Sequence, residues 1–107
     1  MTLKIDTTDT QHIIVELIEN CRKIGRLSKK QQYGSQVLLP QISKILNNNN
    51  IKFKDLTEIK VNTGPGSFTG TRIGIAVANA LGFALNIPIN GKRGRIVIPK
   101  YIKSKFD

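Results

Sequence analysis

The chain has 107 residues and a mass of 11.9 kDa, with 39% hydrophobic, 22% charged and 6% aromatic residues. That size and balance fit one globular domain and exclude a disordered or collagen-like chain; a domain of this length buries roughly 65% of the surface its unfolded form exposes, enough for a core without cross-links. Lys and Arg number 17 against 7 Asp and Glu, a net charge of +10 that points to a polyanionic or acidic partner, or to solubility alone.

Thr2 to Asp6 alternates, with Leu3 and Ile5 on one face, and reads as a short strand. Thr7 to Thr10 is a polar turn whose hydroxyls can bond their own backbone. His12 to Glu19 is β-branched and apolar on both sides, which predicts a strand covered on both faces. Asn20 marks a turn. Cys21 to Leu27 then returns as an antiparallel strand, weakened by Gly25 and basic neighbours and suited to an edge. Ser28 to Tyr33 reads as a polar connector.

From Ser35 the period becomes helical, with Val37, Leu38, Ile42, Ile45 and Leu46 in a stripe that Pro40 should kink or restart as a new turn. Asn47 to Asn50 ends it, since asparagine tolerates the left-handed conformation past a helix end. Ile51 to Leu56 connects, with Asp55 capping a short turn, and Glu58 to Asn62 is another strand. A glycine-rich turn, Thr63 to Gly70, feeds a helix from Ser67, its N-cap, to Leu85, stopped by Asn86 and Pro88. Ile87 to Asn90 reads as a last strand, Gly91 to Arg95 as a basic turn and Ile96 to Ile98 as a short apolar run before the basic tail. The order β-β-β-α-β-α-β implies a mixed sheet with helices on it.

Class exclusions follow from single residues. No apolar run approaches the roughly 20 residues of a membrane helix. Met1 to Asp6 carries an acid where a signal peptide needs its apolar stretch. Cys21 is the sole cysteine and His12 the sole histidine, so one chain can make neither a disulfide nor a multi-cysteine zinc site. A reduced cytoplasmic setting without membrane attachment is expected, and Cys21, placed in a strand, is expected to be inert.

The second helix is unusual. Gly70, Gly74, Ala78 and Gly82 recur every fourth residue, and Ala76, Ala80 and Ala84 form a second small row. With apolar residues filling much of the rest, such a helix is expected to be buried nearly all round, one face on its sheet and another on a partner helix. The Gly64–Gly70 loop at a helix start suits an anion, but it lacks the P-loop lysine and the dinucleotide spacing. Local chemistry favours a structural turn, in which Pro65 fixes one dihedral and the glycines allow left-handed ones.

Asp6 at a strand end can hold a metal, though such aspartates more often cap turns. Arg72, near a helix start where the dipole disfavours a cation, hints at an anionic or carbonyl partner. Ser67 and Thr69 find no triad partners. Lys92, Arg93, Arg95, Lys100, Lys103 and Lys105 cluster late, with only Tyr101 and Phe106 for stacking, so attraction to RNA there would not read bases.

Asn62 to Asn90, with its GPGSFTGTRIG core, closely resembles the TsaB (YeaZ) proteins of the bacterial threonylcarbamoyladenosine pathway. The opening LKIDTTDT resembles the family's first strand and turn. GSQVLLPQI at Gly34–Ile42 resembles its first helix, with Gly34 where the family usually has histidine.

The resemblance implies an α/β fold: a single ribonuclease-H-like (ASKHA, actin/Hsp70-type) lobe with a mixed sheet of about five strands and two main helices. It implies a non-catalytic scaffold for a TsaD-like catalytic subunit, acting with a TsaE-like ATPase in transfer of threonylcarbamoyl to N6 of a tRNA adenosine. Pairing with that subunit or with a second copy would use a helical bundle. The expected interface is Ser35, Leu38, Leu39, Ile42 and Ile45 on the first helix, with Gly70, Arg72, Gly74, Ile75, Ala78, Asn79 and Gly82 on the second. The motif loop comprises Asp6, Thr7, Thr8, Gly64, Pro65, Gly66, Ser67, Phe68 and Thr69. No catalytic residue, metal or cofactor is expected, and tRNA contact would come from basic surface.

Typical members have a second lobe after the IPI strand. Here a lobe at 1–91 is followed by a basic strand or tail at 92–107, whose IVIPKYIKSKF resembles the family's terminal stretch, as if the second lobe were lost internally. The alternative function is an ASKHA-type nucleotide-binding enzyme using the Asp6 turn and the Gly64–Gly70 loop, which one lobe without an interlobe cleft serves less well.

Overall fold

Alternation of side chains builds the sheet. The computed structural model describes residues 1–9, 11–30, 35–66, 68–92 and 98, excluding the side chains of residues 35, 36, 68 and 69. Strands β1 (Thr2–Asp6), β2 (His12–Glu19), β3 (Arg22–Lys30) and β4 (Glu58–Val61) form one sheet in the order β3-β2-β1-β4. The first three pair antiparallel and β4 joins β1 in parallel, so the sheet is mixed. Leu3 and Ile5, Ile13, Val15 and Leu17, and Ile59 and Val61 all point to one buried side. Helices α1 (Ser35–Asn48) and α2 (Phe68–Leu85) cover that side, and Leu38, Ile42, Ile45, Leu46, Ile75 and Ala78 complete one core with the strands.

The turns follow their residue chemistry. Asn20 and Cys21 both take positive φ, 52° and 63°, the backbone of a two-residue hairpin whose twist matches its strands. Cys21 is therefore at an exposed turn and not in a strand as expected. Helix α1 ends with Asn50 at φ 56°, Ile51 N–H donating to Leu46 O and Asn50 N–H to Asn47 O. Helix α2 repeats this with Asn86 at φ 56°, Ile87 N–H to Gly82 O and Asn86 N–H to Phe83 O. Both are Schellman ends with asparagine in the left-handed position. The Asp55 carboxylate accepts from Lys52 N–H and closes a short 3-10 turn at Phe53–Asp55.

Helix α1 runs through Pro40 as one element, with Pro40 on its exposed side. Three expectations change. Strand β3 extends to Lys30, opposite His12, so Ser28 to Lys30 are strand and not connector. The fifth strand is reduced to bridges from Ile89 to Ile59 and to Lys92. There the Asn90 side chain replaces strand backbone: its Oδ1 accepts from Val61 N–H at 2.9 Å and its Nδ2 donates to Val61 O at 3.0 Å. Finally, β2 is covered unevenly: its helix side is fully buried, while on the other side Glu16 is buried and Ile14 and Ile18 are half-buried. The Ser67 cap, Gly34 and the late segment 93–97 and 99–107 lie outside the described residues. Among the described residues, no helix is long and apolar enough to cross a membrane.

Gln41 ties α1 to the sheet. It is buried, and its Nε2 donates to Ile13 O and Leu27 O, both at 2.9 Å, so one side chain holds the helix to two strands. Gln41→Ala leaves both carbonyls without that donor and is expected to cost about 2 kcal/mol, read as a lower urea midpoint at unchanged m.

Candidate functional site

The motif residues meet where β1 ends. Thr7 is fully buried, and its hydroxyl donates to Gly70 O at 2.5 Å, in the first turn of α2. Gly74, one turn on, lies directly over Thr7: a Cβ there would overlap the Thr7 side chain. Gly66 lies over the next residue, where a Cβ would fall 2.6 Å from Thr8 Cβ and 2.7 Å from Thr8 O. These two glycines are required by close approach and not by dihedral freedom. Gly64 is the one that needs freedom, at φ 103°, and the following Pro65 peptide is cis.

Asn62 joins the three pieces, a role the sequence reading missed. Its Nδ2 donates to Asp6 Oδ2 at 3.2 Å and to Thr8 Oγ1 at 3.4 Å, and its Oδ1 accepts from Gly64 N–H at 3.0 Å. Asp6 Oδ1 accepts from Thr8 N–H at 3.0 Å and from Thr8 Oγ1 at 2.7 Å. This is an aspartate-capped turn. Burial raises the Asp6 carboxyl pKa, but the bonds from the Thr8 backbone and hydroxyl, the Asn62 amide and the nearby Lys4 charge outweigh it and hold it below the ordinary 3.8. Both carboxylate oxygens serve the turn. No group of three or more His, Cys, Asp or Glu among the described residues is placed to hold a metal. Phe68 and Thr69 open α2; their side chains, and Ser67, are outside the described residues.

The expected interface divides. Gly70, Gly74, Ile75, Ala78 and Gly82 on α2, and Leu38, Ile42 and Ile45 on α1, are buried in this chain's own core. Gly82 packs on Ile89, where a Cβ would overlap the isoleucine. The glycine ridge is thus the seam between α2 and the sheet, a correction forced by Thr7 and Ile89 needing the space that side chains would fill. Nor is α2 buried all round: Arg72, Ala76, Ala80, Phe83 and Ala84 are exposed, Phe83 at 91%, and Asn79 is half-buried beside them. On α1, Leu39 is 48% exposed. The outward stripe is the second small row with one phenylalanine on it. Its spacing was visible in the sequence, but its direction was not.

A mixed sheet ordered β3-β2-β1-β4, two helices on one side and a glycine loop locked onto the first turn define an ASKHA-like lobe. The comparisons agree. The family model described as "TsaD: tRNA N6-adenosine threonylcarbamoyltransferase" matches residues 28–91. The "tRNA threonylcarbamoyladenosine biosynthesis protein TsaB" of Buchnera aphidicola subsp. Schizaphis graminum is 40% identical over 79 residues, 74% of this chain and 33% of the relative. The protein of that name from Bacillus subtilis is 34% identical over 88 residues, 82% of this chain and 38% of the relative. The solved structure of YeaZ from Pseudomonas aeruginosa superposes with TM-score 0.75 at 31% identity, over 82% of this chain and 42% of that one. The chain belongs to this family, on its TsaB/YeaZ branch, and spans about a third of the length of its curated relatives.

Two outcomes test this geometry. Gly74→Ala should destabilise by about 1–3 kcal/mol through overpacking, and Thr7→Ala should relieve part of that, giving a coupling of about 1 kcal/mol in a double-mutant cycle of thermal unfolding. Because Asp6 is depressed in the folded state, its contribution is complete above the ordinary 3.8 and is lost as pH falls through its lower folded value. Between those two values stability should therefore fall less steeply with decreasing pH in Asp6→Asn than in the native chain.

Proposed function

We propose that this chain is a non-catalytic partner subunit in the biosynthesis of threonylcarbamoyladenosine in tRNA, acting in the cytoplasm. Its docking surface is the outward stripe of α2, Arg72, Ala76, Asn79, Ala80, Phe83 and Ala84, with Leu39 from α1. The partner is a TsaD-like subunit or a second copy of this chain. The names of the relatives support the pathway. The observation that carries the docking role is Phe83, 91% exposed within a row of alanines. Small side chains let another helix approach closely, and a solvated phenylalanine among them is the form of an interface anchor. Burying it contributes about 1.5–3 kcal/mol. The non-catalytic reading is supported by Asp6, Thr7 and Thr8, whose polar atoms bond to the loop and to α2.

Association is the test. Phe83→Asp and Ala80→Arg should each weaken binding to a TsaD-like subunit, or self-association, by about 30-fold or more in sedimentation or calorimetry. Both should leave stability within about 0.5 kcal/mol, since these side chains are exposed. Full association of both variants, or no association of the native chain with a TsaD-like subunit or itself, would sink the reading.

A further inference from the structure

The sheet side away from the helices carries a pattern that neither the core nor the docking stripe explains. In the strand register, Lys60 on β4 is directly opposite Lys4 on β1, Lys4 opposite Glu16 on β2, and Glu16 opposite Arg26 on β3. One row across four strands therefore reads Lys, Lys, Glu, Arg. Neighbouring strands are about 4.8 Å apart, so the row spans roughly 14 Å. Lys4, Lys60 and Arg26 are exposed. Glu16, the row's sole acid, is 8% exposed and already bonds Lys23 at 2.5 Å, with Arg26 at 3.9 Å. The adjoining row on one side adds Lys23 opposite Ile18, with Glu58 at its other end; on the other side comes Asp6, Ile14 and Ser28, and one row further Lys30 is opposite His12.

Cations on an edge strand have a plain purpose, since they keep sheet edges from pairing. That accounts for β3, with Arg22, Lys23, Arg26, Lys29 and Lys30 and no acid. It does not account for Lys4, on an interior strand, facing Lys60 across a paired ladder. Like charges directly opposite each other destabilise a sheet. Lys4 has Asp6 and Glu16 as acidic neighbours, but Asp6 is bound by Thr8 and Asn62 and Glu16 by Lys23, and among the described residues neither is within ion-pair distance of Lys4.

We propose that this face binds the sugar–phosphate backbone of RNA, with a phosphate seated between Lys4 and Lys60 and the strand running along the row toward Arg26. Charge complementarity fixes a polyanion; the choice of RNA over another polyanion rests on the tRNA-pathway reading above. No strand contributes a phenylalanine, tyrosine or tryptophan, and His12 is the one ring that strands β1–β4 offer for stacking, so backbone contacts dominate and binding is insensitive to sequence and strongly sensitive to salt.

The experiment uses the full chain, with an unmodified tRNA transcript and single-stranded oligouridylate as labelled probes, titrated over a range of salt. The native chain should bind both, with log K falling linearly against log salt. Lys4→Gln/Lys60→Gln should bind at least tenfold more weakly and shallow that slope by about 0.7 on the single strand, the term for the one phosphate seated between them. Its thermal midpoint should stay close to the native one, because relief of the Lys4–Lys60 repulsion offsets loss of the Lys4 charge near Asp6. Lys44→Gln, an exposed cation on the helix side, should leave the slope unchanged. An unaltered slope in the double variant, an equal loss in Lys44→Gln, or salt-insensitive binding would each overturn the proposal. The two readings fail separately: Lys4→Gln/Lys60→Gln keeps its helix-mediated association, and Phe83→Asp keeps its RNA slope.

Discussion

Thr7 beneath α2 is the constraint on which the rest of this lobe depends. A buried threonine at the end of β1 needs both a hydrogen-bond acceptor and room, and the start of α2 supplies them as Gly70 O and the bare Cα of Gly74. The helix must then come down close onto the sheet, and it can do so only with its small row inward. Gly66 passes over Thr8 for the same reason. With the loop pinned at both ends, Asn62 can reach Asp6, Thr8 and Gly64 at once. The opposite stripe, with Ala80 and Phe83, is turned to solvent as a geometric consequence.

This division explains what could and could not be read from the chain. The helix ends were legible because asparagine marks them through a backbone preference local to the residue, as at Asn50 and Asn86. The core strands were legible from alternation, and the motif loop from its glycines. The direction of α2 was not legible. Its glycine row and its alanine row are both small and both recur every fourth residue, so periodicity alone cannot say which faces in. The deciding atom is the Thr7 hydroxyl, contributed by a distant strand. The alternation of Ser28 to Lys30 is masked by charge on both sides of an edge, so the sequence does not show that β3 continues to Lys30. The turn at Cys21 is equally unmarked, because a left-handed hairpin turn usually carries glycine and Asn20–Cys21 has none.

The charge of the chain also acquires a place. Composition alone set +10 beside a late basic segment, but register puts a second group of cations on the open side of the sheet. Lys4 and Lys60 are far apart in sequence and become neighbours only through the parallel pairing of β1 with β4. The lobe therefore has two differently equipped exteriors, an alanine and phenylalanine stripe on the helix side and a row of cations on the other. A subunit that holds a catalytic partner while touching a polyanion would need both.

Helix α2 divides into an inward glycine row and an outward stripe of alanines and Phe83, and the stripe is the surface proposed to dock a partner. Thiol footprinting reads it directly. In a Cys21→Ser background, Ala80→Cys should react rapidly with a maleimide in the isolated chain and become protected when a TsaD-like subunit is added or the protein is concentrated. Ala78→Cys, at a fully buried position, should stay unreactive throughout. Equal reactivity at the two positions, or an Ala80→Cys thiol that stays fully reactive under both conditions, would contradict the account.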